Sequence, residues 1–375
     1  MRRTFQRLLF IVALLHVPPA FAQRLYVADS GNGVVDIVDV SGATPVAAGT
    51  IPLPTGSAPM SIAVSPDAST LAVGDFNGSV SLVDLRHSPL APFAQITPGS
   101  GNVYDVAFTP DGSKVFVGWS NKLSYITFSG TTATVTGPFT ISPTYGVTAI
   151  AISPDGQRLY ALTGNADFGD HLTVVDISGA TPTIVGTPTA IDAESEKIAV
   201  SPDGTHVYAT SQSTGNVAII DVSGSAPAVS TINVGSEPKG IAVSHDGAHA
   251  YAANNGLAVV ALAGSPSASE VTIAGAGEPY GVAISADAAR VFVTDLTKNT
   301  LSVVATATNT VSASIPLGNK PAGLVFAAVP PPPPTTTATP APALNSATLL
   351  LLAALMAACV FPTTKWLRQR IPSRD

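Results

Sequence analysis

The chain has 375 residues, 32 Gly, 32 Pro and only 11% charged side chains, the profile of a turn-rich all-β protein with buried sheet faces; no long helical period competes with that reading. Its single cysteine, Cys359, excludes disulfides, a Cys-x-x-Cys-His haem site and a thiolate metal site. Between residues 23 and 329 ten basic residues face twenty-three acidic ones, an excess of thirteen negative charges that excludes binding to nucleic acid through its phosphates and favours a cationic or metal-bridged partner.

In chain order, Arg2, Arg3 and Arg7 precede the apolar run Leu8 to Leu15, and Ala20-Phe21-Ala22 supplies a small-x-small cleavage site, so residues 1–22 are predicted to be a secretory signal peptide. A repeat follows. In one copy, a β-branched run ending at Ile152 is broken by Ser153-Pro154-Asp155-Gly156 and resumes at Leu159-Tyr160-Ala161-Leu162, which reads as a tight hairpin; a third run, Leu172 to Ile177, comes after a polar loop. The turn recurs at Ser65, Thr109, Ser201, Ser244 and Ser285, and the spacings of 44, 44, 48, 43 and 41 residues match the length of a propeller blade. Arg24 to Leu53 reads as three strands of a blade lacking its first, and Pro321 to Val329 as the missing strand. The prediction is an all-β, seven-bladed β-propeller over residues 23–329, closed by pairing of its N- and C-terminal strands and free of open sheet edges.

The residues Arg290-Val291-Phe292-Val293-Thr294-Asp295 with Asn299 to Val304, and His206 to Thr210 with Val217 to Val222, resemble the YVTN-type β-propeller repeat, and the likeness spans roughly residues 24 to 329. The resemblance implies the fold; that family contains surface-layer-type proteins and lactonase-like enzymes, so it leaves the function open.

Beyond the ring, residues 330–342 form a Pro/Thr-rich spacer, residues 343–364 an apolar segment predicted to be a transmembrane anchor helix, and residues 365–375 a basic tail predicted to stay cytoplasmic. This three-part end, with Pro342-Ala343-Leu344-Asn345-Ser346 ahead of the apolar segment, resembles sorting signals of the IPTL-CTERM and PEP-CTERM kind, which implies a sorting peptidase as a partner; it lacks the Trp-Gly pair usual in them. The expected chain is exported, facing outward at the membrane or released after processing.

The loops opposite the Ser-Pro-Asp-Gly turns surround the central funnel. Tyr104, Tyr145, Lys197, Lys239 and Tyr280 are read at matching positions, with Glu237 and Glu278 beside them and Asp29, Asp75 and Asp295 in the other loops of that face. They differ from blade to blade, and a purely structural position would favour one residue type, so this rim is the candidate binding surface. His87, His171, His206, His245 and His249 are scattered over blades and faces, and no metal site or cofactor is expected. Asp39, Asp84, Asp176 and Asp221 recur at the ends of third strands and are expected to cap loops. Two functions are compatible with these residues. One is a monomeric, non-catalytic ring that binds an envelope polysaccharide, peptide or protein partner; the other is a lactonase-like hydrolase using Glu237 and Glu278 as metal ligand or general base.

Overall fold

The structure, a computed structural model, describes residues 22–142, 146–165 and 169–329. The signal, spacer, anchor and tail segments and Tyr145 lie outside these residues. Among the described residues there is no helix long and apolar enough to cross a membrane.

Seven antiparallel sheets follow one another along the chain. Blades 1 to 6 begin with inner strands at Pro59–Val64, Val103–Phe108, Gly146–Ile152, Ser195–Val200, Ile241–Val243 and Pro279–Ile284. The closing blade takes its inner strand, Pro321–Val329, from the C-terminal side of the ring and the other three, Ala22–Asp29, Val34–Asp39 and Val46–Pro52, from the N-terminal side. Leu25 pairs with Phe326, Tyr26 with Val325 and Val27 with Leu324, so the shared blade expected from the sequence is present.

Alternation along each strand sends side chains to both neighbouring blades. Tyr26 packs with Leu71 and Val73 of blade 1, while Leu25 and Val27 pack with Phe292 and Leu301 of blade 6. The core is therefore divided into seven apolar layers, one between each pair of adjacent blades. Second and third strands are buried on both faces, as in Thr70–Asp75, whereas outer strands such as Val46–Pro52 are mostly exposed. Blade 3 departs from the four-strand rule: its outer strand is split into Thr183–Ile184 and Thr189–Ile191, which accounts for the longest repeat spacing.

The recurring turn is one construction used six times. The Ser or Thr hydroxyl donates to the Asp two residues on, at 2.5–2.6 Å, and accepts the backbone N–H five residues on. The same Asp accepts the N–H two residues beyond it. In four copies the fourth residue is Gly at φ near +70°, and in two it is alanine, Ala68 and Ala288, held at φ 55° and 54°. Asp39, Asp84, Asp176 and Asp221 accept the N–H of Ser41, Arg86, Ser178 and Ser223, the loop-capping role expected of them.

Candidate functional site

At the mouth of the channel the inner strands are irregular. In blades 1, 2, 3, 4, 6 and the closing blade the ladder slips near the start of the inner strand, which there carries one residue more than the second strand it faces. A bulge of this kind re-aims side chains. Counting back from the turn Ser or Thr aligns the blades: five residues before it stand Met60, Tyr104, Thr148, Glu196, Lys239 and Tyr280, and four before it Ser61, Asp105, Ala149, Lys197, Gly240 and Gly281. Ala322 and Gly323 hold the same two places in the closing blade by strand register.

The residues four before the turn decide the shape of the channel. At Gly240 a side chain is impossible: an added Cβ would lie 2.1 Å from the carbonyl oxygen of Tyr280, to which the Gly240 N–H donates at 2.8 Å. Blades 5 and 6 thus meet backbone to backbone. Between blades 4 and 5, and between blade 6 and the closing blade, a second-strand threonine does the joining, Thr210 Oγ1 to the Lys239 carbonyl at 2.5 Å and Thr294 Oγ1 to the Ala322 carbonyl at 2.8 Å.

Where this position carries a charge, the charge lines a cavity of about 210 Å³ at the channel. Asp105 from blade 2, Lys197 from blade 4 and Tyr280 from blade 6 line it together, with Met60 and Ser61 of blade 1 and an aliphatic wall that includes Ile198, Ile241 and Leu324. Asp105 is fixed by two backbone donors, Val106 N–H to Oδ1 at 3.1 Å and Ile150 N–H to Oδ2 at 3.0 Å. Burial pushes its carboxyl up, opposed by Lys197, by these two N–H groups and by Ser61. Burial also opposes the charge on Lys197, yet Asp105, Tyr280 and Glu196 around it prevail and hold the amine protonated well above its ordinary range. Tyr280, 7% exposed, donates from Oη to Glu196 Oε1 at 3.2 Å, and its phenol is pushed up to about 12, mainly by burial. Gln212 Nε2 donates to the other Glu196 oxygen at 2.9 Å. Lys239 is ion-paired with Glu278 and lies 5.9 Å from the centre of the Tyr280 ring.

The other residues predicted for the site are elsewhere. Tyr104 is half-buried and meets Phe76 edge to face at 5.7 Å. Glu237 is exposed and lines a separate open groove with Glu194. Asp29, Asp75 and Asp295 are buried and hold loops: Asp29 accepts the backbone N–H and the side-chain amide of Asn32, Asp75 the N–H of Ala58 and Asn77, and Asp295 those of Gly277, Glu278, Thr297 and Lys298. Burial pushes the Asp295 carboxyl up, but these N–H donors prevail and hold it below the ordinary range. Glu237 and Glu278, the acid pair considered for catalysis, do not share a cavity. Asp105 lines the cavity and Glu196 accepts the hydrogen bond of Tyr280 beside it, and counting from the turn locates both. Among the described residues no group of three or more His, Cys, Asp or Glu comes together as a metal site.

Two segments, residues 25–47 and 165–187, match the LVIVD repeat model. Among curated proteins none matches the chain by sequence. Solved structures with this fold include the periplasmic gluconolactonase PpgL of Pseudomonas aeruginosa (19% identity, 82% of this chain and 99% of that one, TM-score 0.69). A Bacteroides uniformis protein, provisionally assigned as a 6-phosphogluconolactonase, is similar at 15% identity over 82% and 99% of the two chains, TM-score 0.68. A functionally unknown protein from Desulfotomaculum acetoxidans aligns over the same shares at 16% identity and TM-score 0.66. The ring, its seven sheets and the matched segments make this chain a repeat-containing seven-bladed β-propeller.

Proposed function

We propose that the protein is an exported, membrane-tethered propeller that binds a cell-envelope partner, a polysaccharide, peptide or protein, at the channel mouth. In this reading the repeats are of the YVTN type, the ring is monomeric, residues 343–364 anchor it in the membrane, and the IPTL-CTERM-like end offers it to a sorting peptidase. One observation carries the binding role. Lys197 presents a protonated amine to a cavity shared by blades 1, 2, 4, 5, 6 and the closing blade, and among the described residues its Nζ has neither a hydrogen bond nor an ion pair within 4 Å. A channel whose only task is to hold the ring together has no use for such a group.

A second reading, a lactonase-like hydrolase, draws support from the likeness to PpgL, which runs over 99% of that chain. If the protein were such an enzyme, Asp105 would be the candidate base, since burial lifts its carboxyl toward the range a general base needs. Co-sedimentation of the purified protein with envelope fragments, run beside a lactone-hydrolysis assay, separates the two. Binding lost in Lys197→Met with no turnover supports the module. Turnover lost in Asp105→Asn supports the enzyme and overturns the module.

A further inference from the structure

Within the binding role, which this inference presupposes, the composition of the cavity specifies a class of ligand. The acidic groups at the mouth are already engaged: Asp105 by two backbone N–H groups, Glu196 by Tyr280 and Gln212, Glu278 by Lys239. Lys239 is paired as well, whereas among the described residues the ammonium of Lys197 has neither a hydrogen bond nor an ion pair. Lys197 and Lys239 stand against Asp105, Glu196 and Glu278, an excess of one negative charge. An incoming anion would be repelled by these carboxylates, and an incoming cation by the ammonium of Lys197. The missing complement is an uncharged acceptor oxygen.

Asp105 narrows the class further. Each of its oxygens accepts one N–H and keeps room for a second donor, so a hydroxyl group can accept from Lys197 while a neighbouring hydroxyl donates to Asp105. Ile198, Ile241 and Leu324 give the cavity an apolar wall for a C–H face. The volume, about 210 Å³, is below the roughly 300–1,000 Å³ of sites that take drug-sized molecules. It suits a single ring. A peptide end brings a charged amine or carboxylate to such a mouth, whereas a neutral glycan end brings only hydroxyls. We propose that the channel mouth receives one uncharged sugar ring, the chain end of a neutral glycan, held between Lys197 and Asp105.

The test uses the full-length protein and three probes in calorimetric titration: a neutral methyl hexopyranoside panel, a hexuronic acid and a hexosamine. The expected result is saturable binding of at least one neutral glycoside, with both charged sugars weaker. Loss of the charged hydrogen bond in Lys197→Met should weaken that binding about tenfold or more, while Lys197→Arg, which keeps the charge, retains most of it and guards against misfolding. Neutral glycosides that neither bind nor displace the protein from envelope fragments it does bind overturn the inference and leave the binding role standing. Failure to bind fragments and glycosides alike overturns both. Tighter binding of the uronic acid would make Lys197 an anion site, contrary to the proposal.

Discussion

The phenol of Tyr280, on the inner strand of blade 6, donates a hydrogen bond to Glu196 on the inner strand of blade 4, passing over blade 5 at 3.2 Å. The contact ties together non-adjacent blades at the mouth of the channel, and it can be removed without emptying the core.

Tyr280→Phe is expected to cost about 1 kcal/mol, the net worth of one hydrogen bond, because Glu196 keeps its bond to Gln212. For a ring of this size the melting temperature should fall by roughly 2–4 °C. A double-mutant cycle with Glu196→Gln, read by chemical unfolding, should show coupling between the two changes.

Gly240→Ala should be more damaging. Its methyl would meet the Tyr280 carbonyl oxygen at 2.1 Å and break the backbone bond between blades 5 and 6. Overpacking of this kind costs about 1–3 kcal/mol, and hydrogen exchange should report faster opening at Ile241–Val243 than elsewhere in the ring.

Arg290 is one side-chain clasp of the ring. From blade 6 its guanidinium donates to Gln23 Oε1 at 3.0 Å, to the Val40 carbonyl at 2.6 Å and to the Gly42 carbonyl at 3.0 Å, all in the closing blade. Arg290→Met keeps an apolar stem but removes the donors, together with the guanidinium carbon that lies 5.6 Å from the centre of the Phe292 ring. The expected outcome is faster exchange in Ala22–Asp29 with the other blades little changed, measured by mass spectrometry.

The turn carboxylates predict an acid limb. Asp111 and Asp203 are held down to about 2, first by the Thr109 and Ser201 hydroxyls and then by backbone N–H groups, and the equivalent Asp67, Asp155, Asp246 and Asp287 are lowered in the same direction. A carboxyl whose folded value lies below its unfolded value, near 3.9, contributes stability that is complete above the unfolded value. That contribution is lost as pH falls from about 4 toward 2. Denaturant midpoints measured from pH 6 to 2 should drop steeply over that window, and Asp203→Asn should lower the plateau while flattening the drop. Ala288→Gly tests the same turn from the other side, since relief of φ 54° should raise stability by about 0.5–1 kcal/mol.

The sequence exposed the ring because its periodic parts are cheap to read: six turns of one chemistry, β-branched runs between them, and two half-blades at the ends. The mouth was harder. The composition of the inter-blade loops puts Tyr145 and Lys197 level with Tyr104 and Tyr280, whereas counting from the turn puts Thr148 and Glu196 there. The bulge that shifts the ladder by a residue lies between loop and strand, where no hydrophobic period marks the register. Asp29, Asp75 and Asp295 look like rim charges in sequence. Their burial follows from the backbone N–H groups that the loops fold around them, which residue identity alone does not reveal.

The claim that the channel mouth is where a partner binds is tested most directly by hydrogen exchange of the full-length protein with and without envelope fragments. The account predicts added protection in Val103–Phe108, Ser195–Val200 and Pro279–Ile284, the inner strands that carry Asp105, Lys197 and Tyr280, and loss of that protection in Lys197→Met. Protection confined to the outer strands or to the Ser-Pro-Asp-Gly turns, unchanged by the substitution, would contradict it.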